Sequence, residues 1–320
     1  MQKYITSYQE YLNYWNDLQQ KLPLNISITE VRCKFCYSKN IIRYGHFRGM
    51  QRWWCKDCQR KFADNGATPY MKTSTVQVST ALGMYYEGIS LNAICRQLQQ
   101  RYHNYFSNST VYEWVRKYTM DAIKNTRDQV PNVSDTWVAA VTPARIARED
   151  VLIWDVMDSG TRFMLVSCIT TNHMKGDFKN ILQQAVQKAD RQPRTILAYG
   201  LSGYLDGKAL TLSGGMKSIE VKVMSPVEHE SIINGFQDSI KRRARIIRTR
   251  KDIEHAELIL GGWQVHYNFF RLDELLNQRT PSELAGIDER LDKNWFNVVK
   301  QVREIIETWR SDYYKASRHI

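Results

Sequence analysis

Four of the six cysteines stand in two close pairs, Cys33-Lys-Phe-Cys36 and Cys55-Lys-Asp-Cys58, with eighteen residues between the pairs. Each Cys-x-x-Cys forms a tight turn that aims two sulfurs at one point. Two such turns complete a tetrahedron of thiolates, the donor set of a structural Zn2+. Because protein fills all four positions, no place is left for water, and the ion is expected to hold the fold and to do no chemistry. His46 lies between the pairs and reads as a surface histidine. Lys34, Arg43, Arg48, Arg52, Lys56, Arg60 and Lys61 surround the ligands, interleaved with Tyr44, Trp53 and Trp54. Cations and rings in alternation suit nucleic acid.

The charge distribution agrees with that partner. The 320 residues carry 45 Lys/Arg against 33 Asp/Glu, a formal charge of +12, and such a surplus attracts polyanions. It is concentrated at the front: residues 1–72 hold 12 basic and 5 acidic side chains. A second concentration is the run Lys241 to Lys251, with seven basic residues among them Lys241, Arg242, Arg243, Arg245 and Arg248. That run is either a phosphate-binding face or a solvated helix face. Hydrophobic residues make up 43% and charged residues 24%, so a disordered tail or a fibrous repeat is not expected. No segment reads as a membrane span, and residues 1–20 lack the apolar core of a signal peptide. A cytoplasmic, nucleoid-associated protein is expected, with its thiols kept reduced.

The elements that must position these groups follow from periodicity. Tyr4, Tyr8, Tyr11, Leu12, Trp15 and Leu18 form an amphipathic helical stripe within residues 1–30. The metal module spans 31–66. Three helices are predicted within 70–128: Thr75 to Glu87, Leu91 to Arg101 with Ser90 as its cap, and Ser109 to Tyr118. The third presents Thr110, Tyr112, Glu113, Arg116 and Lys117 outward and Val111, Trp114 and Val115 to a core. This is the layout of an all-α helix-turn-helix domain whose last helix enters the major groove of double-stranded DNA. Residues 128–135 read as a linker. Strands are expected at Trp137 to Val141, Val151 to Met157 and Arg162 to Thr170, the last two joined by the turn at Asp158-Ser-Gly160. A helix at Gly176 to Ala189, strands at Thr195 to Tyr199 and Ile219 to Met224, and helices at His229 to Ile247 and Ile253 to Phe270 complete an α/β layer fold over 135–287. Residues 288–320 repeat large apolar side chains from Leu291 to Tyr313 at helical spacing, suited either to a homodimer or to packing on their own domain.

Several of these stretches resemble insertion-sequence transposases with an RNase H-like catalytic domain, in particular the insertion-sequence-six group and its archaeal relatives. The resemblance runs through Arg48-Gly-Met-Gln-Arg-Trp-Trp-Cys-Lys-Asp-Cys-Gln-Arg-Lys-Phe62, Tyr85-Tyr-Glu-Gly-Ile-Ser90, Ser109-Thr-Val-Tyr-Glu-Trp114 and Leu152-Ile-Trp-Asp-Val-Met-Asp-Ser-Gly160. It ends with Asn268-Phe-Phe-Arg271 and Arg279-Thr-Pro-Ser-Glu-Leu-Ala-Gly-Ile287. It implies an α/β RNase H-like domain preceded by a zinc ribbon and a helix-turn-helix domain. It also implies DNA cutting and joining by an Asp, Asp, Glu triad that holds two divalent cations.

That triad is missing at the matching positions. Ala140 stands at the first acid, Tyr199 at the second, and counting back nine residues from Arg243 places Asn234 at the third. Alanine offers no ligand, a neutral tyrosine is a poor one, and an amide oxygen carries no net charge. Asp155, Asp158, Glu230 and Asp238 are the nearest acids and read as surface or turn residues. The expectation is a DNA-binding protein derived from a transposase, without catalytic residues, acting as a transcriptional regulator or chromosome-organising factor. The alternative is an active or recently inactivated transposase with relocated acids.

Overall fold

The computed structural model describes residues 31–36, 38–47, 49–63, 73–146, 148–171, 175–199, 209–210, 219–224, 243–244, 246–247, 252–287 and 294–300. The expected helix at 1–30, Arg48, Asn234, Lys241, Arg242, Arg245 and Arg248 lie outside those residues. So does the C-terminal helix beyond 300. The chain forms two compact units, residues 1–72 with 307–320 and residues 73–306.

In the first unit three short strands make an antiparallel sheet in the order β1 (Ile41–Phe47), β2 (Met50–Cys55) and β3 (Lys61–Ala63). The pairing slips between Arg43 and His46, where Gly45 adopts a φ of +80° that a side chain would disfavour. Behind one face, among the described residues, lies a core of three buried side chains, Cys33, Cys55 and Phe62. Val31, Phe35, Ile41, Trp53 and Cys58 pack partly against it. A core that small cannot by itself offset the entropy of ordering the chain.

The second unit opens with three helices, α1 (Thr75–Tyr86), α2 (Leu91–Tyr102) and α3 (Asn108–Thr126). Each starts at a serine whose hydroxyl accepts a backbone N–H of the first turn: Ser74 from Gln77, Ser90 from Ala93 and Ser107 from Thr110. The third helix runs eight residues past the predicted Tyr118, because Tyr118, Thr119, Ala122 and Thr126 continue its buried face.

The α/β part is one six-stranded sheet in the order β6-β5-β4-β7-β9-β8. Strands β4 (Thr136–Ile146), β5 (Glu149–Asp158) and β6 (Met164–Thr170) form an antiparallel meander. Helix α4 (Lys175–Ala189) then leads to β7 (Thr195–Tyr199), parallel to β4, and β9 (Ile219–Val223) lies parallel to β7. A short β8 (Ala209–Leu210) pairs antiparallel at the edge. A meander followed by a crossover helix and two strands parallel to the first makes a mixed α/β layer, as the sequence predicts. The hairpin of β4 and β5 is longer than expected, since Pro143 and Arg145 at its exposed end break the apolar run without breaking the pairing.

Helix α5 (Ile253–Val265) packs against both α3 and β6 and so carries apolar residues around most of its surface, among them Ile259, Leu260 and Trp263. Its last turn widens into a π-helical turn, His266–Phe270. There Asn268 accepts the Met164 N–H at 2.8 Å and donates to the Met164 carbonyl at 2.9 Å. Gln264 donates to the carbonyls of Met164 and Leu165. These side chains satisfy backbone groups of β6, the edge strand, which would otherwise be open to another chain. The Asn268-Phe-Phe-Arg271 motif thus has a structural role. The segment expected as a linker is also tied down: Asn132 N–H donates to the Ala285 carbonyl at 2.8 Å, and Arg191 donates to the Val133 carbonyl at 2.7 Å.

The helices and the sheet meet at a stack of rings. Tyr86 lies over Trp295 with centroids 5.1 Å apart and over His266 at 5.8 Å. Trp295 Nε1–H donates to His266 Nδ1 at 3.2 Å, which leaves Nε2 to donate to Glu87, 3.1 Å away. The first turns of the C-terminal helix therefore pack on their own unit. Close approach there depends on Gly261 and Gly262. A Cβ on Gly262 would come within 2.1 Å of the Tyr86 hydroxyl and 2.5 Å of Thr119 Cγ2. Gly262→Ala is expected to lower the unfolding midpoint in thermal denaturation, although alanine favours a helix by about 1 kcal/mol over glycine. An unchanged or raised midpoint would show that the two helices can separate at no cost.

Candidate functional site

The four cysteine sulfurs converge as their spacing predicted. All lie within 4.8 Å of one another, with Cys33 Sγ to Cys58 Sγ and Cys36 Sγ to Cys55 Sγ both 3.5 Å. A zinc tetrahedron with bonds of about 2.3 Å has edges of about 3.8 Å, so the donor set fits a divalent zinc ion. The knuckles are built by backbone bonds, Cys33 N–H to the Ser38 carbonyl at 2.9 Å and Cys55 N–H to the Arg60 carbonyl at 3.0 Å. Asp57, which the sequence did not single out, joins one knuckle to the other by accepting from the Ser38 hydroxyl and from Asn40 Nδ2. Burial pushes the Cys36 thiol up to about 11 and raises the Cys58 thiol as well. A bound cation reverses this, since coordination deprotonates a thiol outright.

Among the expected DNA contacts of this module, Arg43, Lys56 and Lys61 are exposed, and Arg52 and Arg60 are partly so. Arg60 lies over the Phe35 ring at 5.3 Å. On α3, Thr110, Arg116 and Lys117 are exposed and Tyr112 is half-buried, while Val111, Trp114 and Val115 face the core. Arg116 is held by Glu113 one turn earlier at 3.0 Å, an exposed pair worth little.

The α/β part holds a different constellation. Ala140 on β4 is directly opposite Tyr199 on β7 and Asp155 on β5, and Asp155 is in turn opposite Ser167 on β6. Cross-strand partners point to the same face, so Ser167, Asp155, Ala140 and Tyr199 form one row across four strands. Into this row reaches Arg243. Its Nη1 donates to Asp155 Oδ1 and, at 3.2 Å, to Ser167 Oγ. Ser167 donates to the same Asp155 oxygen at 2.6 Å. The guanidinium lies over the Trp263 ring at 5.2 Å.

Two expectations change here. Arg243, taken as a phosphate contact, is 1% exposed: its charge is matched inside the protein and cannot meet a DNA backbone. Asp155 and Asp158, read as surface or turn acids, are 1% and 0% exposed. Asp158 does sit at its turn, but it is buried there and fully used. It accepts the N–H and hydroxyl of Ser134 at one oxygen and those of Thr161 at the other, all within 2.8 Å. Asp155 gives a signal that sequence reading could have used, because a lone acid in an apolar strand is almost never buried without a partner. Its partner, 88 residues later in a run of like charges, gave none.

One zinc per chain is expected by metal analysis of purified protein, and acid should release it as protons compete for the thiolates. A content below about half an equivalent would contradict the four-thiolate site. Arg243→Ala should destabilise the second unit by about 3–5 kcal/mol because it leaves Asp155 charged and unpaired. In a unit of this size that is a fall of roughly 10 °C or more in midpoint. Arg243→Met combined with Asp155→Leu should recover most of the loss. A double variant whose loss is the sum of those of its two single substitutions would show that the charges are not coupled.

No protein-family model matches the chain. It is similar to an uncharacterised protein in transposable element ISH50 of Halobacterium salinarum, 36% identical over 88 residues; the match covers 28% of this chain and 29% of that protein. The chain thus spans less than a third of the relative it matches. Solved structures with partial likeness include the HTLV-2 integrase catalytic core domain in complex with magnesium, at a TM-score of 0.31 and 12% identity, over 49% of this chain and 97% of that one. Another is a simian T-cell lymphotropic virus intasome in complex with PP2A regulatory subunit B56 gamma, at a TM-score of 0.35 and 13% identity, over 66% of this chain and 73% of that one. The chain shares a segment of sequence with a transposable-element protein.

Proposed function

We propose that this is a transposase-derived protein that binds double-stranded DNA and neither cuts nor joins it. The observation that carries the reading is the buried pair of Arg243 and Asp155, one strand away from Ala140 and two from Tyr199. Two-metal phosphoryl transfer needs two cations about 4 Å apart, each held by carboxylates. In the row Ser167, Asp155, Ala140, Tyr199 there is one carboxylate, and a guanidinium already neutralises it. A divalent ion placed beside that guanidinium would meet like charge in a medium of low dielectric. Asn234 at the third position supplies no charge either.

What remains is a set of surfaces for DNA. The zinc ribbon offers Arg43, Arg52, Lys56, Arg60 and Lys61 to phosphates. Helix α3, as the recognition helix of a helix-turn-helix, would carry Thr110, Tyr112, Arg116 and Lys117 to base edges. Binding of this kind suits a transcriptional regulator or a chromosome-organising factor, with zinc as a structural ion.

The test uses zinc-loaded protein and candidate terminal-repeat DNA with Mg2+ or Mn2+. Binding without nicking or strand transfer is expected. Strand transfer abolished by Asp155→Asn would establish a working active site and overturn the proposal. Arg43→Ala with Lys56→Ala should weaken binding to every duplex and reduce the salt slope by about two units, whereas Arg116→Ala should relax sequence preference. Equal effects of both on all sequences would remove α3 from the role of reader.

A further inference from the structure

The ribbon sheet has two unlike faces. One carries Ile41, Trp53 and Phe62 toward the cysteines. On the other, Ile42, Trp54 and Lys61 are cross-strand partners in one row. Arg52 lies two residues from Trp54 on the same face, and the Tyr44 ring stands 6.0 Å from that of Trp54. This second face is open: Ile42 is 43% and Tyr44 46% exposed, and Phe47 and Met50, which pair at the end of the same hairpin, are 57% and 46% exposed. Of the nine large hydrophobic side chains exposed among the described residues, these four lie on this one hairpin. Such a concentration marks a surface that docks something.

The occupant follows from charge and shape. Among the described ribbon residues there are eight Lys/Arg and one acid, Asp57, so the partner is a polyanion. Lys61 lies 4.0 Å over the Tyr44 ring and 5.7 Å over that of Trp54, which places a cation beside two rings on one face. A duplex presents phosphates to a flat surface and keeps its bases stacked inside, so exposed Ile42 and Tyr44 would gain nothing from it. Unpaired bases do expose apolar rings, each flanked by a phosphate. Aromatic side chains interleaved with cations bind such strands by stacking, with little regard to sequence.

We propose that the outer face of the ribbon hairpin, centred on Tyr44, Trp54 and Lys61, binds unpaired nucleotides of single-stranded DNA. Bases stack on Tyr44 and the exposed edge of Trp54, while Lys61 and Arg52 meet the phosphates. This rests on the reading of the chain as a DNA-binding protein and adds to it a preference that the helices do not supply. It lets the protein hold DNA where strands have opened, in addition to the duplex contacts proposed for the ribbon's cations and for α3.

Fluorescence anisotropy of the full-length, zinc-loaded chain with a labelled oligo-dT of about twelve nucleotides and with a random duplex of about twenty base pairs tests this. Tyr44→Ala and Ile42→Ala should each weaken oligo-dT binding, Tyr44→Ala by about tenfold, and change duplex binding by less than twofold. Tyr44→Phe should retain the oligo-dT affinity, because stacking needs the ring and not the hydroxyl. Zinc content equal to that of the unmodified protein shows that the variants are folded. Equal losses on both probes, or none on oligo-dT, would overturn the proposal. So would a Tyr44→Ala variant that changes only self-association, which would assign the face to a second copy of the chain. Tight duplex binding with no oligo-dT binding would sink this inference alone, and failure to bind either probe would sink the DNA-binding reading with it.

Discussion

A buried charge must have its opposite beside it, and the α/β unit is organised around one such pair. Asp155 sits in the middle of the meander with no route to water, and Arg243 arrives from far along the chain to meet it. Removing two ions from water is costly, so the pair adds little net stability over two apolar side chains. Losing either partner, however, leaves a charge stranded. The pair thus fixes where Arg243 lies on the sheet. Ser167 and Trp263 complete the enclosure, the one by a hydroxyl bond and the other by its ring face. The same pair bears on the proposed chemistry, since the guanidinium on Asp155 matches the one carboxylate in the row of Ser167, Asp155, Ala140 and Tyr199.

The first unit solves the opposite problem. Among its described residues the buried core is small, and burial raises the thiols of Cys36 and Cys58. A zinc ion on the four cysteines would supply what the three buried residues described there cannot, and would leave the surface free to carry cations and exposed rings. In the second unit positive charge is drawn inside at Arg243; in the first it is displayed.

Much of this was legible in the sequence where a local rule dominates. The Cys-x-x-Cys pairs, the Ser90 cap, the apolar strands at β5 and β7 and the turn at Asp158 all follow from nearest-neighbour chemistry and appear as expected. What sequence reading missed depends on distant partners. The run Lys241 to Lys251 looks uniformly solvated because charge periodicity cannot reveal that one of its arginines has a buried carboxylate 88 residues away. Asn268 reads as a family motif, and only the sheet shows that it completes the backbone bonding of Met164. The ribbon strands carry no clear alternation, as β1 is exposed on both faces for most of its length and a bulge shifts its phase.

The central claim is that no divalent cation is held where the row of Ser167, Asp155, Ala140 and Tyr199 crosses the sheet. Titration of zinc-loaded protein with Mn2+, followed by the loss of the free-ion electron paramagnetic resonance signal, addresses it without requiring any DNA substrate. The account predicts that Asp155→Asn leaves the Mn2+ titration unchanged. A saturable site that binds Mn2+ below about millimolar concentration in the unmodified protein and disappears in Asp155→Asn would contradict it.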